Sequence, residues 1–157
     1  MISIQTEDFN LDDEYNSLRQ RAGDPGAIVT FAGLVREIYD QDAGNGDGDG
    51  KVNSLYLEHY PGMTEKCLQD ICEKASLKWP VLALRVIHRV GDLSAKDQIV
   101  FVGVATAHRK DAFEAAQFIM DYLKSNAPFW KKQSSDATSN WVESRQSDVD
   151  SLERWKD

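Results

Sequence analysis

The run His108-Arg109-Lys110 and Lys131 are the side chains in this 157-residue sequence whose type and setting could do chemistry, whereas for Lys124, seven residues before Lys131, spacing alone favours a plain helix-end cation. His108 and Arg109 close an apolar strand. Asp111 and Glu114 follow in what reads as the first turn of a helix, where the macrodipole favours carboxylates. A helix N-terminus beside a histidine and an arginine offers free N–H groups and positive charge, a seat for a phosphate or carboxylate. The competing reading makes Arg109 and Lys110 solvated surface charges. Lys124 falls in the last turn of the same helix, where the dipole favours a cation without any chemistry. Lys131 follows Pro128-Phe129-Trp130, a stiff aromatic segment that could hold an amine at a pocket rim and lower its pKa by partial desolvation. Arg36, at the end of an earlier strand, is a further candidate, with an ordinary exposed arginine as the alternative.

These groups need elements to position them. Ile99 to Thr106 is apolar on both faces, as in a central strand covered on two sides, and Ala112, Ala115, Ala116, Ile119, Tyr122 and Leu123 make one stripe of a half-buried helix. Pro128 disfavours helical geometry at Ala127, so the chain turns before Phe129. Upstream, Ile2 and Ile4 mark a short strand, and Asn10 can cap a helix bearing Leu11, Tyr15, Leu18 and Ala22. Ala27 to Val35, with Phe31 and Gly33 along it, reads as a strand. Val52 to Tyr60 reads as another, paired with it across the intervening loop as a long hairpin. Thr64 is placed as the cap of a helix carrying Leu68, Ile71, Cys72 and Ala75. Leu82 to Val90 is a strand antiparallel to the central one, Gln133 to Asn140 reads as loop, and Trp141-Val142-Glu143 adds a short strand. The order predicts a single α+β domain over 1–157, with a largely antiparallel mixed sheet and flanking helices.

Composition narrows the function. Eighteen Lys and Arg against 26 Asp and Glu give a net charge of -8, which argues against a general nucleic-acid binder. Met1 precedes neither a signal-type segment nor any apolar run of membrane-spanning length, so the expected location is the cytoplasm. Cys67 and Cys72 fit neither a redox pair nor a zinc site and read as core thiols. His59 and His88, each without a second ligand at metal spacing, read as hydrogen-bonded structural residues. Asp40 to Gly50, DQDAGNGDGDG, is expected to be a flexible loop. It imitates the start of a calcium loop, but position twelve would be Tyr56 instead of a glutamate. No metal site and no cofactor are expected. From about residue 146 the sequence reads as a polar tail.

Four motifs occur together in order: HYPGMTEK (His59 to Lys66), IHRVG (Ile87 to Gly91), FVGVATAHR (Phe101 to Arg109) and FIMDYLKSNAPFWKK (Phe118 to Lys132). With WVESR (Trp141 to Arg145), they resemble the large, catalytic subunit of molybdopterin synthase, the MoaE family, over about Ala27 to Arg145. The resemblance implies an α/β-hammerhead-like fold and a sulfurtransferase of molybdenum cofactor biosynthesis. Its substrate would be cyclic pyranopterin monophosphate, precursor Z. Its partner would be a small ubiquitin-like subunit whose C-terminal thiocarboxylate supplies two sulfurs, the whole a 2:2 heterotetramer around a large-subunit homodimer. The same resemblance makes Lys124 and Lys131 catalytic, assigns Arg36, His108 and Arg109 to the substrate's phosphate with Arg145 contributing across the dimer, and puts Phe31, Phe129 and Trp130 in the partner-tail pocket. One departure is Gln133, where the family commonly has glutamate. It motivates the alternative of a non-catalytic phosphate-metabolite or ubiquitin-tail binding module on the same fold.

Overall fold

The computed structural model describes residues 1–36, 54–134, 139–142 and 150–156, with the backbone course alone for 131–134 and 139–142. The chain runs β1 (Ile2–Gln5), α1 (Leu11–Arg21), β2 (Ala27–Leu34), β3 (Ser54–His59), α2 (Met63–Lys78), β4 (Val81–Arg89), β5 (Gly91–Leu93), β6 (Gln98–Thr106), α3 (Arg109–Asn126), β7 (Phe129–Ser134) and β8 (Ser139–Val142), then a 3-10 turn at Ser151–Trp155. Among the described residues eight strands form two four-stranded sheets, β1-β4-β6-β2 and β5-β3-β7-β8. Only the β1–β4 pairing is parallel. The α+β expectation is met.

β6 occupies the interior of the first sheet, and its residues from Val100 to Thr106 are buried, as its two apolar faces require. One face carries Phe101 and Ala105 against Leu18 and Ala22 of α1. The other carries Val100, Val102 and Val104 against Leu68, Ile71 and Ala75 of α2 and Ala115, Ile119 and Leu123 of α3. Each fully buried leucine or isoleucine of this kind contributes roughly 1.5–3 kcal/mol of transfer free energy. Asn10 caps α1 as anticipated, its Oδ1 accepting from the N–H groups of Asp12 and Asp13 at 2.9 and 3.1 Å.

Three local expectations are corrected. β2 and β3 do not form a hairpin. β2 pairs β6 in one sheet, while β3 lies between β5 and β7 in the other, so neither of its partners is the strand that precedes it in sequence. Thr64 is not the cap of α2, because that helix starts at Met63 after Gly62, whose φ of 86° is the left-handed region that favours glycine. The first turn is closed instead by Glu65, which accepts from the Gly62 N–H at 2.6 Å. Part of the segment read as loop is strand, since β7 continues to Ser134 and β8 begins at Ser139. Near the C-terminus the indole N–H of Trp155 donates to Asp121 at 2.8 Å and its ring packs on Phe118 and Trp79, so this part of the tail is docked on α3.

Candidate active site

α3 begins where β6 ends. Thr106 Oγ1 donates to the His108 carbonyl at 2.7 Å, turning the chain out of the sheet, and His108 takes the N-cap position with extended backbone (φ -130°, ψ 141°). Its side chain makes no capping bond. His108, Arg109 and Lys110 are all exposed around the first turn of an 18-residue helix. This is where the sequence reading expects an anion to bind.

At the other end of α3, Lys124 is exposed in the last turn, one residue after buried Leu123. Ala127 ends the helix with φ -77° and ψ 130°, the geometry that the following proline demands. β7 then sets Phe129 opposite His59 and Lys131 opposite Leu57 and Val142. Arg36 comes to this same end: Val35 donates to the Asp97 carbonyl at 2.9 Å and accepts from Lys96 at 2.7 Å, just before β6 begins. Val35 also shares an apolar cluster with Leu55, Leu57 and Phe129. Arg36 and the backbone of Lys131 thus each neighbour a member of the one apolar cluster that includes Val35 and Phe129, and Lys124 lies in the last turn of α3 just upstream.

His108 and Arg109 do not join them. Fifteen residues of helix separate Arg109 from Lys124, about 22 Å at 1.5 Å per residue. The candidate residues thus fall in two groups, one at the head of α3 and one at its tail. Arg145, the Lys131 and Gln133 side chains and the Asp40–Gly50 loop lie outside the described residues.

The aromatic trio is divided as well. Phe31 lies half exposed on β2, an edge strand of the first sheet. Phe129 points inward, its ring stacked on His88 at 3.8 Å and 16°. Trp130, on the opposite face of β7, meets Tyr60 edge-on at 4.2 Å and lines a shallow cavity of about 400 Å³ with Glu58, His59 and Tyr60. His59 behaves as the sequence suggested, with Nε2 3.3 Å from Glu65. So does His88, which is buried with Nδ1 2.8 Å from the Arg89 carbonyl. The Cys72 thiol is pushed up to about 12 by burial, which removes it from chemistry at neutral pH. Among the described residues no group of three His, Cys, Asp or Glu could hold a metal, and no helix is long and apolar enough to cross a membrane.

Sequence reasoning missed Thr64. Fully buried, it accepts from the Tyr60 N–H at 3.0 Å and donates to the Pro128 carbonyl at 3.1 Å, tying the head of α2 to the lysine corner. The only signal was a threonine one residue inside a helix, which reads equally well as a cap.

The fold is an α+β domain with exposed His108, Arg109 and Lys110 at the head of α3 and exposed Lys124 at its tail. The chain belongs to the MoaE family, whose model, described as "MoaE protein", matches residues 4–126. A Vibrio cholerae relative, the molybdopterin synthase catalytic subunit, is 51% identical over 155 residues, covering 99% of this chain and 97% of that one. The solved MoaE protein of Burkholderia ambifaria superposes with a TM-score of 0.81 at 44% identity, covering 99% and 97%. The fold also matches a structure from Helicobacter pylori, a complex of subunits 1 and 2 of molybdopterin-converting factor. There the TM-score is 0.72 at 20% identity, covering 92% and 91%.

Proposed function

We propose that the chain is the catalytic subunit of a molybdopterin synthase, converting cyclic pyranopterin monophosphate to molybdopterin with sulfur carried on the thiocarboxylated C-terminus of a small ubiquitin-like subunit. The observation that carries this reading is the MoaE-family fold, with Lys124 in the last turn of α3 and the Lys131 backbone on the strand that follows it. Positive charge there suits the chemistry. An anionic thiocarboxylate must approach an already phosphorylated substrate, so positive charge lowers the cost of encounter. Replacing oxygen by sulfur at the pterin side chain requires protons to be delivered and removed, which an amine can do. Lys124 takes that part, and Lys131, between Trp130 and Lys132, orients the substrate.

The anion seat completes the site from a second copy. At about 22 Å from Lys124 along α3, His108 and Arg109 of one protomer are too far from that protomer's own lysine corner to hold the phosphate of a pterin reacting there. In the proposed two-fold dimer the head of one α3 lies near the tail of its mate, which unites the halves twice. The homodimer at the core of a 2:2 assembly is thus required by the chemistry as well as by the resemblance. The reaction is placed in the cytoplasm.

The test is a single-turnover reaction of purified protein with precursor Z and thiocarboxylated small subunit, without added metal, following dithiolene formation. Product formed by the wild type and lost in Lys124→Ala, with the fold intact by circular dichroism, is the expected result. Near-full activity in Lys124→Ala overturns the catalytic assignment. Binding of precursor Z without product supports the non-catalytic module and directs attention to Gln133.

A further inference from the structure

Seven residues of extended chain can span about 24 Å, so the covalent link between Lys124 and Lys131 does not set their distance. The corner between them does, and two buried residues from distant parts of the chain grip it. Thr64 of α2 is fully buried, and its hydroxyl donates to the Pro128 carbonyl at 3.1 Å while accepting from the Tyr60 N–H at 3.0 Å. His88 of β4 lays its ring flat on that of Phe129 at 3.8 Å, while its Nδ1 meets the Arg89 carbonyl at 2.8 Å. With Nδ1 bonded to a carbonyl, the proton sits on Nδ1 and the ring orientation is set. One residue thus holds Pro128 through its backbone, and the other holds the next residue through its ring.

We propose that Thr64 and His88 are positioning residues for sulfur transfer, clamping Pro128 and Phe129 so that Lys124 and Lys131 are presented at one fixed separation. The inference rests on the assignment of those two lysines. Neither clamp residue touches substrate in this scheme. The bonds reinforce a corner where Ala127 closes α3 with a long 3.3 Å bond to Leu123 and Phe129 donates to Ala127 at 2.9 Å before β7 pairs with β3. A displacement near 1 Å at reacting groups costs about a hundredfold in rate. The clamp therefore acts on turnover and leaves the anion seat at the other end of α3 undisturbed.

The experiment compares Thr64→Val, Thr64→Ser, His88→Leu and His88→Phe with the wild type in the same single-turnover assay, recording the rate at saturating precursor Z and the half-saturating concentration separately. The fraction of folded protein is measured by circular dichroism. Thr64→Val keeps the side-chain shape and removes the hydroxyl, and His88→Leu removes the stack. Both are expected to lose about a hundredfold in saturating rate with half-saturation unchanged. Thr64→Ser, which keeps the hydroxyl, and His88→Phe, which keeps the stack, restore most of the rate. The proposal is overturned if Thr64→Val or His88→Leu turns over like the wild type, or if rate falls only in step with the folded fraction. Failure of the wild type itself to turn over sinks the assigned activity and, with it, the clamp's role.

Discussion

Mixing two inactive variants tests the two-half-site arrangement. Lys124→Ala damages the lysine corner and Arg109→Ala the anion seat, and α3 holds these about 22 Å apart in one chain. If each site takes its halves from two protomers, a mixed dimer has one site with both lesions and one site with none. Random exchange of equal amounts makes half of the dimers mixed, so about one quarter of wild-type sites are restored. If each chain builds its own site, every site carries one lesion and nothing returns. The assay co-expresses the variants with different affinity tags, isolates the doubly tagged dimer, and reads the single-turnover amplitude at a precursor Z concentration where each parent is silent. Amplitude counts sites, so the doubly tagged fraction should give about half the wild-type burst. A doubly tagged dimer as silent as its parents refutes the shared site.

Further consequences concern stability and reactivity. A Cβ on Gly26 would lie 2.1 Å from the backbone oxygen of Ala107, so Gly26→Ala forces β2 away from the corner that presents His108. Overpacking of this kind costs about 1–3 kcal/mol, visible as a lower urea midpoint, and precursor Z binding should weaken as well; an unchanged midpoint would contradict the geometry. The Glu65 carboxyl is held below its usual 4.5 first by a bond from its own N–H and then by the Gly62 N–H and His59, with burial opposing them. A depressed folded value stabilises above the unfolded pKa and is lost as pH falls through the folded one. The stability gap between wild type and Glu65→Gln should thus be present at neutral pH and close as pH falls below about 4.5, as urea midpoints at several pH values will show. Alkylation at pH 8 followed by mass spectrometry should modify partly exposed Cys67 well before Cys72, which labels only on unfolding. Early labelling of Cys72 would mean that the α2 core opens.

The local elements were legible because their causes are local. The two-sided apolar run of β6, the 3.6-residue stripe of α3, the Asn10 cap and the helix-ending Pro128 each depend on neighbours within a few residues, and each appears where the pattern put it. The main candidate residues were legible for the same reason, as cations at the ends of recognisable elements. Even the distance between Arg109 and Lys124 was implicit in the sequence, since helical residues have a fixed rise.

Pairing and grouping were decided only by the tertiary structure. β2 looks like half of a hairpin with β3, yet an alternating strand does not encode its partner, and burial of Leu55 and Leu57 against Val35, Val90 and Leu93 placed β3 in the second sheet. Phe129 and Trp130 are adjacent in sequence, but successive residues of a strand face opposite ways, so one entered the core and the other the surface. Thr64 and His88 carry no signal of their own, because each acts through a residue 41 or more positions away that only folding brings near. The sequence by itself determined which side chains can do chemistry and which elements hold them. Which of those side chains meet depended on long-range burial, which follows from the whole set of apolar faces and not from any one stretch.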